Sequence, residues 1–219
     1  AYKPLPENLT ANKSATSHTR AAQEQVKTSL DFSNRKSFAD AQKGFIATLN
    51  PLTLRREDGH VTFDLAHMEF LNDEAPATVN PSLWRQSQLN AQHNGLFEVV
   101  DGVYQVRSFD IANMTLIRSD TGWIIIDPLT SSESSAAALA LANKHLGERP
   151  VVAVLITHSH ADHFAGVLGV VSQEQVRSGE VPLIAPEDFV DESLNENVLA
   201  GNAMNRRATY MYGNLLPAS

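Results

Sequence analysis

Seven consecutive residues, Thr157-His158-Ser159-His160-Ala161-Asp162-His163, bring three imidazoles and a carboxylate into one short stretch. Imidazole nitrogen and carboxylate oxygen are the donors that zinc takes at about 2.0–2.2 Å. The stretch directly follows the apolar run Val151–Ile156, which reads as a buried strand. Beyond a strand end, residues two apart point the same way, so His158 and His160 can grip one ion together. Asp162 and His163 fall where a new helix is expected, and a helix N-terminus favours a carboxylate. Two ligand pairs then hold two ions roughly 3.5–4 Å apart. Four polar residues on a solvated turn would be the plainer explanation, but the clustering opposes it. Of eight histidines, the other five are scattered at 18, 60, 67, 93 and 145 and read as structural or exposed. The chain has no cysteine, so thiolate sites and disulfides are excluded. Two zinc ions are the expected cofactor, with manganese or iron as alternatives for such a donor set.

A metal at this corner brings its own chemistry. Zinc lowers the pKa of bound water to about 7, so a metal-bound hydroxide serves as nucleophile and no catalytic side-chain nucleophile is required. An anionic substrate would also want fixed cations. Arg206 and Arg207 are candidates, because a guanidinium fork matches an oxyanion with two parallel donors. A solvent-facing pair on a helix explains them equally well.

The elements that position the cluster follow from punctuation and periodicity. Residues 1–16, with Pro4 and Pro6, read as an irregular lead-in. Ser17–Leu49 reads as one or two helices, with Phe38, Phe45 and Leu49 at helical spacing. Asp58-Gly59 predicts a turn into an alternating strand over His60–Phe70. Leu96–Val100 and Val103–Val106 flank Asp101-Gly102, and Met114–Ile117 and Trp123–Ile126 flank Asp120-Thr121-Gly122, which predicts two hairpins. Thr130-Ser131-Ser132-Glu133 reads as a capping box for an Ala-rich helix, with Leu139, Ala142 and Leu146 on one face and Gly147 as its stop. A helix over Ala161–Val171, a strand over Val181–Ala185 and a helix over Glu192–Tyr212 complete the pattern. Meandering strands followed by strand–helix alternation predict a layered α+β or α/β fold, a mixed sheet with helices packed on it.

Composition sets the outer limits. A chain of 219 residues with 42% hydrophobic and 19% charged residues can bury a core. No apolar run reaches the roughly 20 residues of a membrane-spanning helix. A net charge of −8 argues against nucleic acid as partner. It leaves an anionic small molecule open, because a metal overrides the global field locally. The chain opens at Ala1 without a Met or a basic-then-apolar leader, which reads as processing or trimming.

His-X-His-X-Asp-His after an apolar strand resembles the signature of the metallo-β-lactamase superfamily. That resemblance implies an αββα fold, incomplete in this chain and preceded by an N-terminal helical segment. It also implies a role for Asp127, at the end of the Met114–Ile126 hairpin, as a partner that orients a metal-binding His or the bound water. An Asp that merely opens a turn explains the position as well. More narrowly, Gly95–Val99, Val103–Arg107, Leu146–Val154, Thr157–Gly166, Asn195–Val198 and Ala200–Met204 with Arg206, Arg207, Ala208 and Tyr210 are similar to alkyl sulfatases that hydrolyse dodecyl sulfate. Residues 1–94 would then be a lead-in, and 95–219 the first part of a catalytic domain continuing beyond 219. Members of that family are longer, take further Glu and His ligands from later segments, and pair through a dimerisation domain. The resemblance therefore implies an N-terminal part of a larger, homodimeric, periplasmic or secreted enzyme that converts an alkyl sulfate and water to an alcohol and sulfate. Two other readings stay open: a hydrolase of the same fold acting on another ester or amide, and a metal-binding or assembly module without catalysis.

Overall fold

The computed structural model describes residues 13–211. The lead-in prolines Pro4 and Pro6, and Tyr212 at the end of the last expected helix, lie outside the described residues. Helices α1 (Ser17–Ser29) and α2 (Lys36–Ala41) come first, followed by strands β1 (Phe45–Ala47), β2 (Thr53–Arg55) and β3 (Val61–Asp64). A 3-10 segment (Leu65–Asn72) and α3 (Pro81–Gln92) lead to β4 (Gly95–Val100), β5 (Val103–Arg107), β6 (Met114–Arg118) and β7 (Trp123–Ile126). Then come α4 (Ser132–Leu146), β8 (Val151–Leu155), α5 (Gln173–Arg177), β9 (Leu183–Ile184), α6 (Phe189–Leu194), a π-helical turn (Asn195–Leu199) and α7 (Gly201–Met211).

Among the described residues, seven strands form one mixed sheet in the order β1-β4-β5-β6-β7-β8-β9. Pairing is antiparallel from β1 to β7 and parallel from β7 through β9. Both expected hairpins are present, and the expected layered architecture with them. Along β5, β6 and β7 burial alternates residue by residue, as a sheet with one covered face requires. α4 helps to cover that face: Ala138, Leu141 and Ala142 join Tyr104, Val106, Met114, Leu116, Trp123, Ile125 and Val154 in one core. Each large side chain there contributes about 1.5–3 kcal/mol of burial free energy. Asn143 Oδ1 accepts from the Trp123 indole N–H at 2.8 Å, so the polar edge of the largest core residue is satisfied.

Several local expectations change. Phe45 is not on a helix: Gly44 adopts φ +72°, its carbonyl accepts from Glu98 N at 2.7 Å, and the chain turns into β1 against β4. The Phe45 ring packs edge-on to Phe97, with centroids 5.4 Å apart. The strand expected over His60–Phe70 stops at Asp64, whose side chain caps the 3-10 segment by accepting from Ala66 N. The cap of α4 is Ser131, whose hydroxyl accepts from Ser134 N, whereas Thr130 N donates to Asp110 instead.

The largest change concerns Ala161–Val171, which forms two short 3-10 turns (Ala161–His163 and Val167–Gly169) and no α-helix. Gly166 N donates to Leu129 O at 2.9 Å, and the backbone is drawn against the loop before α4. A Cβ at Gly166 would collide with the Pro128 and Ser131 carbonyls, and one at Gly169 with Ser132 and Ser135. This close docking replaces the helix, so Asp162 has no helix macrodipole to favour it. The strand expected over Val181–Ala185 shrinks to Leu183–Ile184, and the last helix divides into α6, the π turn and α7. No described helix is long and apolar enough to cross a membrane.

Candidate metal centre

Because β7 and β8 are parallel neighbours, their C-terminal ends share one edge of the sheet. Asp127 follows β7 and Thr157–His163 follows β8, which is why residues far apart in sequence meet. Asp127 N donates to Leu155 O at 3.0 Å, tying the two strand ends together. Asp127 and Leu129 both adopt left-handed backbone conformations, at φ 55° and 63°. Non-glycine residues hold that region only where their surroundings dictate it, and functional sites are where this concentrates.

The buried Asp127 carboxylate then organises the corner. Its Oδ1 accepts from Thr157 N at 2.8 Å, and its Oδ2 accepts from Thr157 Oγ1 at 2.7 Å and faces His163 Nδ1 at 2.9 Å. An ionised carboxylate only accepts, so His163 carries its proton on Nδ1 and leaves Nε2 with a free lone pair. The single Thr157 hydroxyl proton is committed to Asp127. His158 Nδ1, 2.9 Å from Thr157 Oγ1, must therefore be the donor there, and its Nε2 is likewise free. These partners fix tautomer and ring orientation before any ion arrives, which is what supporting hydrogen bonds do around metals.

The rings crowd together, with centroids of His158 and His160 4.6 Å apart and those of His158 and His163 4.1 Å apart. Ligand atoms of Asp127, His158 and His163 all lie within 4.8 Å of one another. With three hydrogen bonds already on its two oxygens, Asp127 fits a supporting role better than direct ligation. Asp162 Oδ2 lies 3.3 Å from His163 Nε2, an available carboxylate beside an available nitrogen. His160 is the outlier: it is exposed, and its Nε2 faces Glu196 Oε1 at 3.1 Å. Free imidazole nitrogens beside a carboxylate suit zinc, so the donor chemistry fits a metal of that class.

Arg206 and Arg207 are exposed on α7, and among the described residues neither forms an ion pair with the cluster. Of the five remaining histidines, His18, His60, His67 and His145 are exposed and His93 is half-buried at the end of α3.

Two neighbours escaped the sequence reading. Asp110 accepts from Ala112 N and Thr130 N, holding the loop that carries Asp127 to α4. Burial pushes its carboxyl above the ordinary range, the two backbone donors oppose this, and the Asp162 charge adds to the rise. Nothing in the spacing around Asp110 signals the contact. Glu196 falls within the Asn195–Val198 stretch of resemblance, but its approach to His160 depends on how α6 folds back. An open cleft of about 320 Å³ between Leu49–Leu52, the 3-10 segment and the end of α3 shares no residue with the histidine corner.

Residues 107–212 match the profile of the Metallo-beta-lactamase superfamily. The chain is 49% identical over 94% of its length to a linear primary-alkylsulfatase of Pseudomonas sp., covering 31% of that protein. It is 48% identical over 92% of its length to an alkyl/aryl-sulfatase of Saccharomyces cerevisiae, again covering 31%. The solved structure of a stereoselective inverting sec-alkylsulfatase from Pseudomonas sp. superposes with a TM-score of 0.87 at 43% identity, over 96% of this chain and 33% of that one. The chain thus spans about a third of the length of these relatives. The matched profile and the alkylsulfatase likeness both run through the strand ends and the histidine corner, so residues 107–212 are similar to the metallo-beta-lactamase superfamily at the site itself.

Proposed function

We propose that the protein carrying this chain hydrolyses alkyl sulfate esters, of the dodecyl sulfate type, to an alcohol and sulfate with two zinc ions as cofactor. The observation that supports this most is the corner itself: His158 and His163 are each held through Nδ1 with Nε2 free, beside Asp162, in a chain 43–49% identical to alkylsulfatases. Zinc held there would supply Lewis acidity and lower the pKa of water in contact with it. The chain's own residues do the rest. Thr157 and Asp127 fix the tautomers of His158 and His163, so ring reorientation is not required when an ion enters. The docked loop behind Gly166 keeps the corner from spreading. Arg206 and Arg207 are proposed as cations for the sulfate group, which requires them to turn toward the corner when substrate is present.

A substrate panel tests the reading. Turnover of dodecyl sulfate, abolished by a chelator and restored by zinc, is the expected result. Turnover of a β-lactam amide or a phosphodiester with none of dodecyl sulfate would assign the corner to another ester or amide. Zinc uptake with no turnover of any of them would make it a binding module. In ¹⁸O-water, label in the alcohol means attack at carbon and label in sulfate means attack at sulfur. Label in neither product rules hydrolysis out.

A further inference from the structure

We infer that Glu196 is the positioning residue for His160. It holds the Nε2–H tautomer and so commits Nδ1 to the metal. This rests on the corner being a metal centre, as proposed above. Two of the three imidazoles have a protein acceptor on one nitrogen: Thr157 Oγ1 for His158 and Asp127 Oδ2 for His163. Both partners come from the strand ends, and both take Nδ1. His160 has no partner from the strand ends. Its partner is Glu196, 3.1 Å from Nε2, delivered by the π turn from a separate part of the chain.

Two further contacts place that segment against the corner. Phe189 of α6 packs edge-on to Phe164, with centroids 5.1 Å apart, and Ser193 Oγ donates to Ser159 O at 3.5 Å. One side of the helical arm thus meets the histidine loop at three successive levels, and Glu196 is the level that reaches an imidazole. The wider π turn fits this use, since single π turns commonly re-aim a side chain at a functional site. The Glu196 side chain is 28% exposed and the His160 side chain 56%, so the pair is accessible but not fully solvated. Glu196 Oε1 stands 3.1 Å from Nε2 as an ion-pair contact, and a proton held on Nε2 by that charge leaves the lone pair on Nδ1. The corner would then present two Nε2 atoms and one Nδ1, with each opposite nitrogen held by the protein.

The test uses the full chain as wild type, Glu196→Gln and Glu196→Ala, with thermal unfolding run on each to show that it is folded. The tautomer of His160 is read by long-range ¹H–¹⁵N correlation on metal-free protein at about pH 8.5, where free imidazole is neutral. Zinc affinity is read by competition with a chromophoric chelator. We expect Nε2–H in the wild type, a mixture in the Ala variant, and roughly 10–100-fold weaker zinc in the Ala variant. The Gln variant keeps an oxygen acceptor and is expected to retain the tautomer and most of the affinity. An Ala variant with the wild-type tautomer and zinc affinity within about twofold overturns the inference, on the usual strength of such supporting contacts. A Gln variant as damaged as Ala also overturns it, because direct ligation by the carboxylate would then be the better account. If the wild type takes up no zinc, the metal reading under the proposed function fails. The metal-free tautomer still decides whether Glu196 orients His160.

Discussion

The histidine corner and the helical arm that touches it are built in opposite ways. The corner grows from the ends of two central parallel strands, and its supports are buried: Asp127 is 8% exposed, and Ser134 and Ser135, which begin α4 behind it, are 1% and 0%. The arm, α6 through α7, buries no residue among those described and exposes Val190, Leu194, Val198, Leu199, Tyr210 and Met211. The backbone supports of the corner cannot move without disturbing the core, whereas the arm is held by few contacts and belongs to the low-stability end of the molecule. The side chains proposed as metal ligands are thus preorganised by the part of the fold that costs most to open. The one imidazole whose partner comes from the arm, that of His160, has the softest support.

The sharpest break of this contrast comes from the proposed ligands themselves. His158→Ala combined with His160→Ala should lower bound zinc by at least roughly tenfold after gel filtration, read by elemental analysis. The midpoint of thermal unfolding in chelator should stay near the wild-type value, because neither ring belongs to the core. Retention of zinc by that variant would move the metal centre away from the corner. Next in size is the core beneath it. Leu141, 3% exposed on α4, should cost about 2–5 kcal/mol on truncation to Ala in urea unfolding. A cost near zero would mean that α4 is not the cover of the sheet.

Asp127→Ala links the two effects. It strips the acceptor from Thr157 N, Thr157 Oγ1 and His163 Nδ1 at once, so about 1–3 kcal/mol of stability should go. Zinc affinity should fall by about another 10–100-fold. If stability falls but affinity does not, Asp127 is only a clasp between β7 and β8 and plays no part in orienting His163.

The legible parts of the molecule were those governed by short-range rules. Asp101-Gly102 and Asp120-Thr121-Gly122 announced their hairpins, Gly147 announced the end of α4, and the histidine spacing announced the corner. What the sequence hid depends on tertiary approach. Ala161–Val171 carries helical-looking periodicity, but the two glycines in it serve docking against Pro128, Ser131, Ser132 and Ser135, and that docking overrides propensity. Phe45 read as helical because nothing local reveals that β4 waits for a partner strand. Asp110 and Glu196 were invisible as site neighbours because each meets the corner through a chain reversal whose geometry no spacing encodes.

The smallest expected effect is also the cleanest control, since it repeats the Leu141 experiment on the other side of the contrast. Leu199, 79% exposed at the end of the π turn, presents the same side chain as Leu141 to water instead of to the sheet. Truncation to Ala removes little buried area, leaves no cavity, and exchanges one good helix former for another. Urea unfolding should therefore change by no more than about 0.5 kcal/mol. Zinc affinity should hold, because Glu196 lies one turn away with its own contact to His160. A cost near that of Leu141 would show that the arm's apolar side chains are packed in solution. The support of His160 would then be as stiff as that of its two neighbours, and the asymmetry between corner and arm would be gone.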